Sequence, residues 1–424
     1  MSSDGVLLKP PVSIVDMSAV NRGYGLIASR DIRRGEVIYT EKAAEASQMP
    51  RQCLVCSEGD KQKMGYSYQV KGCQNCFQSL EPASSILCCD TAKLPMEEYW
   101  PVLLDENEPG PALRRVQCQN CSALFCSKQC HESHQKKMGT CCRCIDAMQA
   151  VVHAYCCHSN LSIDNDEDGA DNEATISVEP SLMLASRMFC AEIQRYRGSP
   201  GDGIEKSPFI GICGESSDIN PLEIGALRRK EDQHEPWYSL EDIYDALCNA
   251  FELTETERKA FPLTFYEKYV AMAARNGFNV TTRSPFREYY SAMTRATGGR
   301  NSERHKATVR QLALALGAED GELRRDMDRE IDEKCAIQIA ALFSLTARIN
   351  HSCDPCAELR GGEFIDCHVD LMAKRDISKG EEISISYINL GRTAGRAATD
   401  RNKRRRELKA RYLFDCDCIK CMEG

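Results

Sequence analysis

No apolar run in this 424-residue sequence is long enough to span a bilayer, and its polar N-terminus carries no hydrophobic signal core. The expectation is a chain without a membrane segment, in the cytosol, the nucleus or both. An excess of positive charge is also missing. Lys and Arg number 54 against 63 Asp and Glu, a formal net charge of −9. Broad, charge-driven nucleic-acid binding is therefore not expected. An acidic balance suits a basic substrate such as a histone tail, although a solvated surface is the commoner reason for it. Hydrophobic content of 42% and charged content of 28% are ordinary for a globular protein, and the length allows two or three domains.

What the chain has in excess is cysteine. It holds 25, and fifteen of them lie between Cys53 and Cys157. In a reducing compartment, thiols clustered at paired spacing mean zinc more often than disulfides. Cys53-x-x-Cys56, Cys73-x-x-Cys76 and Cys118-x-x-Cys121 are all chelating pairs by spacing. Cys126, Cys130, His131, His134, Cys141, Cys142 and Cys144 follow. A tetrahedral zinc takes four N or S ligands, so two pairs fill one site. At the other end Cys416-x-Cys418-x-x-Cys421 offers three thiolates, one short of a site. Cys353 fits as the fourth, which would tie the tail onto a distant turn.

Between these clusters the pattern changes twice. Ser13–Val15, Gly25–Ala28 and Glu36–Thr40 read as short strands. The phrase Ala28-Ser29-Arg30-Asp31-Ile32-Arg33-Arg34-Gly35-Glu36 is echoed by Ala373-Lys374-Arg375-Asp376-Ile377-Ser378-Lys379-Gly380-Glu381. Each copy precedes an alternating apolar segment. Two like strand–turn–strand units at opposite ends suggest one β domain interrupted by a long insertion. From Ile145 to about Cys335 the texture is helical, with apolar residues at helix spacing in 147–154 and 182–189. Ser239 and Asp242 make a capping-box-like start, and a helix from Phe265 is expected to stop on Gly277. Residues 327–339 read as a further helix leading into Arg348-Ile349-Asn350-His351-Ser352-Cys353-Asp354-Pro355-Cys356. Asn, His and Ser beside a proline suit a turn whose side chains bond back to the backbone. The tract 164–173 is acidic and reads as a loop, as does 79–115.

Four phrases in order carry more than turn chemistry: Arg22-Gly23-Tyr24-Gly25, the Asn350-His351 turn, Gly380-Glu381-Glu382-Ile383-Ser384-Ile385-Ser386-Tyr387, and Tyr412-Leu413-Phe414 with its three-cysteine tail. That ordered set resembles the SET-domain lysine methyltransferases. The phrase from Cys118 to Cys130 resembles the heart of a MYND finger, so the whole is similar to the SET-and-MYND group. The resemblance implies an α+β fold: a split SET β-fold with an inserted MYND zinc finger, a helical insert and a C-terminal, cysteine-rich post-SET zinc site. The corresponding boundaries are 10–50 for the first SET part, 51–144 for the finger, 145–335 for the helical insert, 336–391 for the second SET part and 392–424 for the tail. A RING-type ligase also interleaves two zincs, but it leaves the phrases outside the finger unexplained.

The resemblance implies S-adenosyl-L-methionine as methyl donor and three zinc ions. Arg22, Gly23, Tyr24, Gly25, Asn276, Asn350, His351 and Phe414 are the expected cofactor contacts. Tyr387 is the expected catalytic residue, and with Tyr412 it lines the substrate channel. Ligand pairs interleave in a MYND finger. Cys73, Cys76, Cys126 and Cys130 then share one ion, and Cys118, Cys121, His134 and Cys142 hold another. Cys353, Cys416, Cys418 and Cys421 hold the third. The family's usual histidine position is Met138 here, so His134 or His131 substitutes, closed by Cys141 or Cys142. Cys53 and Cys56 compete with Cys73 and Cys76 as the first pair. Two further departures stand out. Tyr24 lies where the family often has a basic residue, and Cys356 lies where it usually has Asn.

The chemistry fits those residue types. Methyl transfer to lysine needs a neutral amine, and with a pKa near 10.4 only roughly one free lysine in a few thousand is neutral at pH 7. A dry channel beside a cationic donor favours that form. An oriented acceptor must then align the amine, and a tyrosine hydroxyl on a rigid strand end serves. The leading reading is a protein-lysine N-methyltransferase acting on histone or other proteins, expected to be a monomer with partners bound through the finger. The alternative is a zinc-finger scaffold without catalysis. The basic run 401–411 reads as a solvated helix face or a nuclear-localisation patch.

Overall fold

Strands from the two ends of the chain pair with one another. In chain order they are β1 (Val12–Asp16), β2 (Tyr24–Ala28), β3 (Val37–Lys42), β4 (Glu45–Gln48), β5 (Gln52–Val55), β6 (Met64–Ser67), β7 (Val116–Gln117), β8 (Leu124–Phe125), β9 (Thr175–Ile176), β10 (Phe278–Thr281), β11 (Gln338–Leu342), β12 (Asn350–His351), β13 (Ala357–Arg360), β14 (His368–Ala373) and β15 (Glu382–Ile385). The sheets run β1-β2-β15-β12, β10-β11-β4 and β13-β14-β3, with smaller ones β6-β5-β9 and β7-β8. Each of the first three joins a strand before residue 49 to a strand after residue 337, the second also carrying β10. The computed structural model describes residues 10–20, 22–48, 52–55, 64–67, 72–80, 115–119, 123–138, 141–157, 175–176, 180–199, 207–210, 212, 239–282, 284–315, 336–360, 367–388, 390, 401–412 and 414–423. The predicted loop 164–173 and most of 79–115 fall outside them, as do Cys56 and Cys121.

The echoed phrases explain how the ends meet. They pair as mirror partners about a local two-fold. Ile32 and Ile377 exchange both backbone hydrogen bonds at 2.9 Å. Asp376 Oδ1 accepts from Arg34 N at 2.8 Å, and Asp31 Oδ1 accepts from Lys379 N at 2.8 Å. Arg30 pairs with Glu36 and Arg375 with Glu381, each at 2.6 Å. Gly35 and Gly380 sit at φ +80° and +84°, the left-handed region that glycine enters without a Cβ clash. Between the turns, Leu26, Ile32, Ile349, Leu371, Ile377 and Ile383 form one buried core. The turn chemistry is local, but what it fixes is a contact between positions more than 340 residues apart.

A helical layer packs against this β body. The helix Pro180–Gly198 is buried along Ser181–Ile193 and lies against the helices Leu263–Asn276 and Cys141–Cys157 and the strands β4 and β11. Phe189 meets Tyr244, Phe261 and Tyr266 edge-on, and Ser186 Oγ bonds Tyr266 Oη at 2.9 Å. Ser239 caps the helix Leu240–Ala250 by accepting from Asp242 N, as its sequence suggests.

One expectation needs correction. Residues 338–339 are not helical: Gln338–Leu342 is β11, hydrogen-bonded to β4 on one side and β10 on the other. Ile337 and Ile339 to Phe343 are buried, and a strand covered on both faces has a continuous apolar run that periodicity does not separate from a helix. Residues 327–335 lie outside the described residues. The helix ending at Asn276 stops at Gly277 as expected, with Gly277 at φ −71°. Glycine is required there by space: a Cβ would sit 2.4 Å from Ala273 O.

The strand pairing also sets the turn before β12. A 3₁₀ turn, Thr346–Arg348, leads into Asn350, and Glu41 on β3 anchors it. Glu41 Oε1 accepts from Leu345 N at 2.7 Å, and Oε2 accepts from Thr346 N at 2.8 Å and Thr346 Oγ1 at 2.7 Å. Hydrogen bonds to a charged acceptor are worth more than neutral ones. Glu41→Ala is therefore expected to lower stability by about 2–3 kcal/mol, read from the midpoint of urea unfolding. An unchanged midpoint would show that Glu41 anchors nothing.

Candidate active site and thiolate centres

Tyr387 lies two residues past β15. Its Oη donates to Ile349 O at 2.5 Å, and its backbone N–H donates to His351 Nδ1 at 3.0 Å. The tail reaches the same place. Tyr412 Oη donates to Tyr387 O at 3.1 Å, its ring lies 4.9 Å from that of Tyr387, and Phe414 meets the Tyr387 ring edge-on at 6.4 Å. Phe414 also lies 6.0 Å from the His351 ring. The expected catalytic, channel and cofactor residues of the C-terminal half thus form one aromatic wall.

His351 is buried, which lowers its pKa to about 4, so the imidazole is neutral. Because Nδ1 accepts from Tyr387 N–H, the proton belongs on Nε2, which faces Cys353 Sγ at 3.3 Å. One ring therefore links the backbone of Tyr387 to a metal-type thiol. Its protonation suits orientation rather than general-base work.

The N-terminal glycine loop closes on the same turn. A Cβ at Gly25 would lie 2.6 Å from Met17 Sδ and 3.0 Å from Asn350 Nδ2, so any larger residue would displace the Met17 and Asn350 side chains. Gly23 turns at φ +61°. Arg22 Nη1 donates to Glu382 Oε2 at 2.8 Å, and Asn350 Nδ2 donates to Glu382 Oε1 at 3.0 Å. Tyr24 is 44% exposed. Asn276 stands at its helix end, with Nδ2 donating to Met272 O at 3.0 Å.

Two thiol clusters have metal geometry. Cys73, Cys76, Cys126 and Cys130 place their sulfurs within 4.8 Å of one another, and so do Cys353, Cys416, Cys418 and Cys421. The first is the four that the finger resemblance implies, and the second is the tail trio with Cys353 as its fourth. In the first, hydrogen bonds from Cys126 and Cys76 hold Cys73 down as the thiolate, while the bond to Cys73 and burial push Cys76 up. In the second, burial opposes ionisation of Cys418, and hydrogen bonds from the Cys353 and Cys421 backbone N–H groups and the Cys416 and Cys353 thiols together outweigh it, bringing the thiol down to about 7. Four thiolates at this separation need a cation among them, and a zinc-type dication fits both donor sets.

With that geometry established, comparison with known proteins is informative. The SET domain family model matches residues 202–388. Protein-lysine N-trimethyltransferase SMYD5 of Gallus gallus is 24% identical over 419 residues, covering 95% of this chain and 84% of that protein. Histone-lysine N-methyltransferase ATXR2 of Arabidopsis thaliana is 29% identical over 213 residues, 49% of this chain and 38% of that protein. Histone-lysine N-methyltransferase SMYD3 of Mus musculus is 37% identical over 81 residues, 19% of this chain and 16% of that protein.

The chain carries a SET domain and is similar along most of its length to a protein-lysine methyltransferase of the SET-and-MYND group.

In this SET-domain protein the departures noted in the sequence acquire physical roles. Cys356 is fully buried and its sulfur accepts from Ser384 N at 3.2 Å, so it holds β15 by hydrogen bonding as an amide could. Of the second finger group, His134 is 1% exposed and its Nε2 is without a hydrogen-bond partner among the described residues. Cys118 is buried, Cys121 lies outside the described residues, and only the backbone of Cys142 is described, in the helix Cys141–Cys157. Cys53 is in β5 with its side chain undescribed.

Three contributors carry no mark in the sequence analysis. Glu41 and Glu382 are carboxylates on strands, where such residues ordinarily face water. Arg404 sits in a basic run yet is 5% exposed, with Nη2 3.8 Å from Cys421 Sγ. The available clue to Arg404 is its spacing, four residues before the buried Leu408. The purified protein is expected to carry zinc, with Cys130→Ser and Cys416→Ser each removing one ion and the double variant two. Native mass spectrometry checks this, and a zinc count unchanged by either substitution contradicts the two sites.

Proposed function

We propose that this protein is an S-adenosyl-L-methionine-dependent protein-lysine N-methyltransferase, with Tyr387 as its catalytic residue. The observation that carries the reading is the Tyr387 hydroxyl. Its proton is committed to Ile349 O, so toward whatever enters beside the aromatic wall its oxygen acts as an acceptor. An amine presented there finds an acceptor for its proton, a low-dielectric lining from Tyr412 and Phe414, and a fixed approach line. Neutral lysine is favoured in such a place, and alignment supplies much of the remaining rate.

The cofactor supplies a methyl group on a sulfonium centre when bound. The chain's part is to hold it. Gly25 gives the close backbone approach, Arg22, Gly23, Tyr24, Asn276, Asn350 and His351 surround the expected cleft, and Phe414 covers it. Zinc at the tail cluster fixes Phe414 and Tyr412 over Tyr387 by fastening Cys416, Cys418 and Cys421 to Cys353. A second ion occupies Cys73, Cys76, Cys126 and Cys130. A third is assigned to Cys118, Cys121, His134 and Cys142, supported by the bare Nε2 of His134. The boundaries proposed are 10–50 and 336–391 for a split SET fold, 51–144 for the MYND finger, 145–335 for the helical insert and 392–424 for the tail. The finger's role is partner binding, and the substrate is a protein lysine, histone tails included, met by a monomer in the cytoplasm or nucleus.

Labelled S-adenosyl-L-methionine with histones and cell extract tests this. Tyr387→Phe is expected to lower kcat by about 100-fold or more, the scale of losing a positioned acid–base group. A rate for Tyr387→Phe equal to that of the wild type would remove Tyr387 from the chemistry, and absence of cofactor binding by the wild type would leave the scaffold reading standing.

A further inference from the structure

Among the described residues, Glu382 is the carboxylate that touches both cofactor-side segments. Its two oxygens are divided between them: Oε2 takes Arg22 Nη1 at 2.8 Å, and Oε1 takes Asn350 Nδ2 at 3.0 Å. Arg22 precedes the glycine loop and lies 360 positions away in sequence. The strand carrying Glu382 is held on both sides, with Glu382 opposite Ile27 and Ser384 opposite Asn350. Ile383 and Ile385 point into the core, so Glu382 lies on the other face of the strand, on a rigid mount. The Arg22 and Glu382 side chains are 30% and 23% exposed, partly desolvated and therefore coupled more strongly than an open surface pair.

An ionised carboxylate only accepts hydrogen bonds. The Asn350 atom facing it must therefore be the amide nitrogen, which turns the amide oxygen the other way. Without Glu382 nothing in that contact distinguishes the two amide orientations, and Arg22 loses the anion that holds its guanidinium in place. An amino-acid zwitterion needs the two ends distinguished: an acceptor for its ammonium and a cationic donor for its carboxylate.

We propose that Glu382 is a positioning residue for the amino-acid end of the cofactor: it presents the Asn350 oxygen to the ammonium and the Arg22 guanidinium to the carboxylate. The proposal rests on the methyltransferase reading above. It separates Glu382 from a merely structural residue, because only ligands that carry the amino-acid end depend on it.

Calorimetric titration of wild type and Glu382→Ala with two probes tests it. S-adenosylhomocysteine carries the amino-acid end, and 5′-methylthioadenosine lacks it. The Kd of the first is expected to rise about 10- to 100-fold, the equivalent of one or two charge-assisted hydrogen bonds, with the Kd of the second unchanged. Glu382→Gln, which keeps an acceptor for Asn350 but drops the charge, falls between. In turnover the loss appears in KM for S-adenosyl-L-methionine more than in kcat. Equal weakening of both probes, or of neither, overturns the role of Glu382. A wild-type protein that binds neither probe overturns the methyltransferase reading as well.

Discussion

The structure depends on the pairing of the chain's two ends. β2 lies beside β15 and β3 beside β14, and the Asp31 and Asp376 turns lock across them. Every element of the candidate site is placed by that pairing. The glycine loop arrives on β2, Asn350 and His351 lie on β12 against β15, and Tyr387 follows β15 directly. Bringing together segments this far apart in sequence is entropically costly, and loop closure grows only slowly with the length enclosed. A long insertion between the two halves is therefore tolerated, provided the closing contacts are strong and specific. The reciprocal carboxylate bonds and the shared apolar core meet that condition.

The tail adds a second closure. Cys353 belongs to the same turn as Asn350 and His351, and its partners are the last three cysteines. His351 bridges that thiol and the backbone of Tyr387, so the thiol cluster and the tyrosine proposed as catalytic share one imidazole. Arg404 brings a buried positive charge beside Cys421, where four thiolates around a dication leave a net negative centre. The finger is fastened to the body as well. Phe77, one residue after Cys76, is buried among Ile339, Ala341, Phe343 and Val369, and Arg187 lies over its ring. That knuckle forms part of the β body's packing, so the first cysteine cluster is joined to the β body by core contacts.

Much of this is legible in the sequence because its chemistry is local. Thiol spacing marks the chelating pairs, the finger resemblance selects among them, and the Asp-x-x-x-Gly-Glu echo announces two equivalent turns before any pairing is visible. Tyr387 stands out through its phrase, which a lone tyrosine would not supply. What escapes the sequence is what only tertiary contact defines. β11 reads partly as helix because burial on both faces erases alternation. Gly277 reads as a helix stop, but the crowding of Ala273 O that demands glycine there is visible only in three dimensions. Glu382 and Glu41 look like solvent-facing strand residues until their donors, hundreds of positions away, come into view. Arg404 is hidden in a run of cations whose pattern does not show which of them turns inward.

The central claim is that the tail's metal centre and the cofactor cleft are one construction. The most direct measurement is S-adenosylhomocysteine affinity in Cys421→Ser, a substitution remote in sequence from the glycine loop and the Asn350 turn, with zinc retained in the finger as the control. The account predicts binding weakened at least about tenfold, since a lost tail ion frees Cys353, His351 and Phe414 together. Wild-type affinity in a protein that has lost that ion would contradict it.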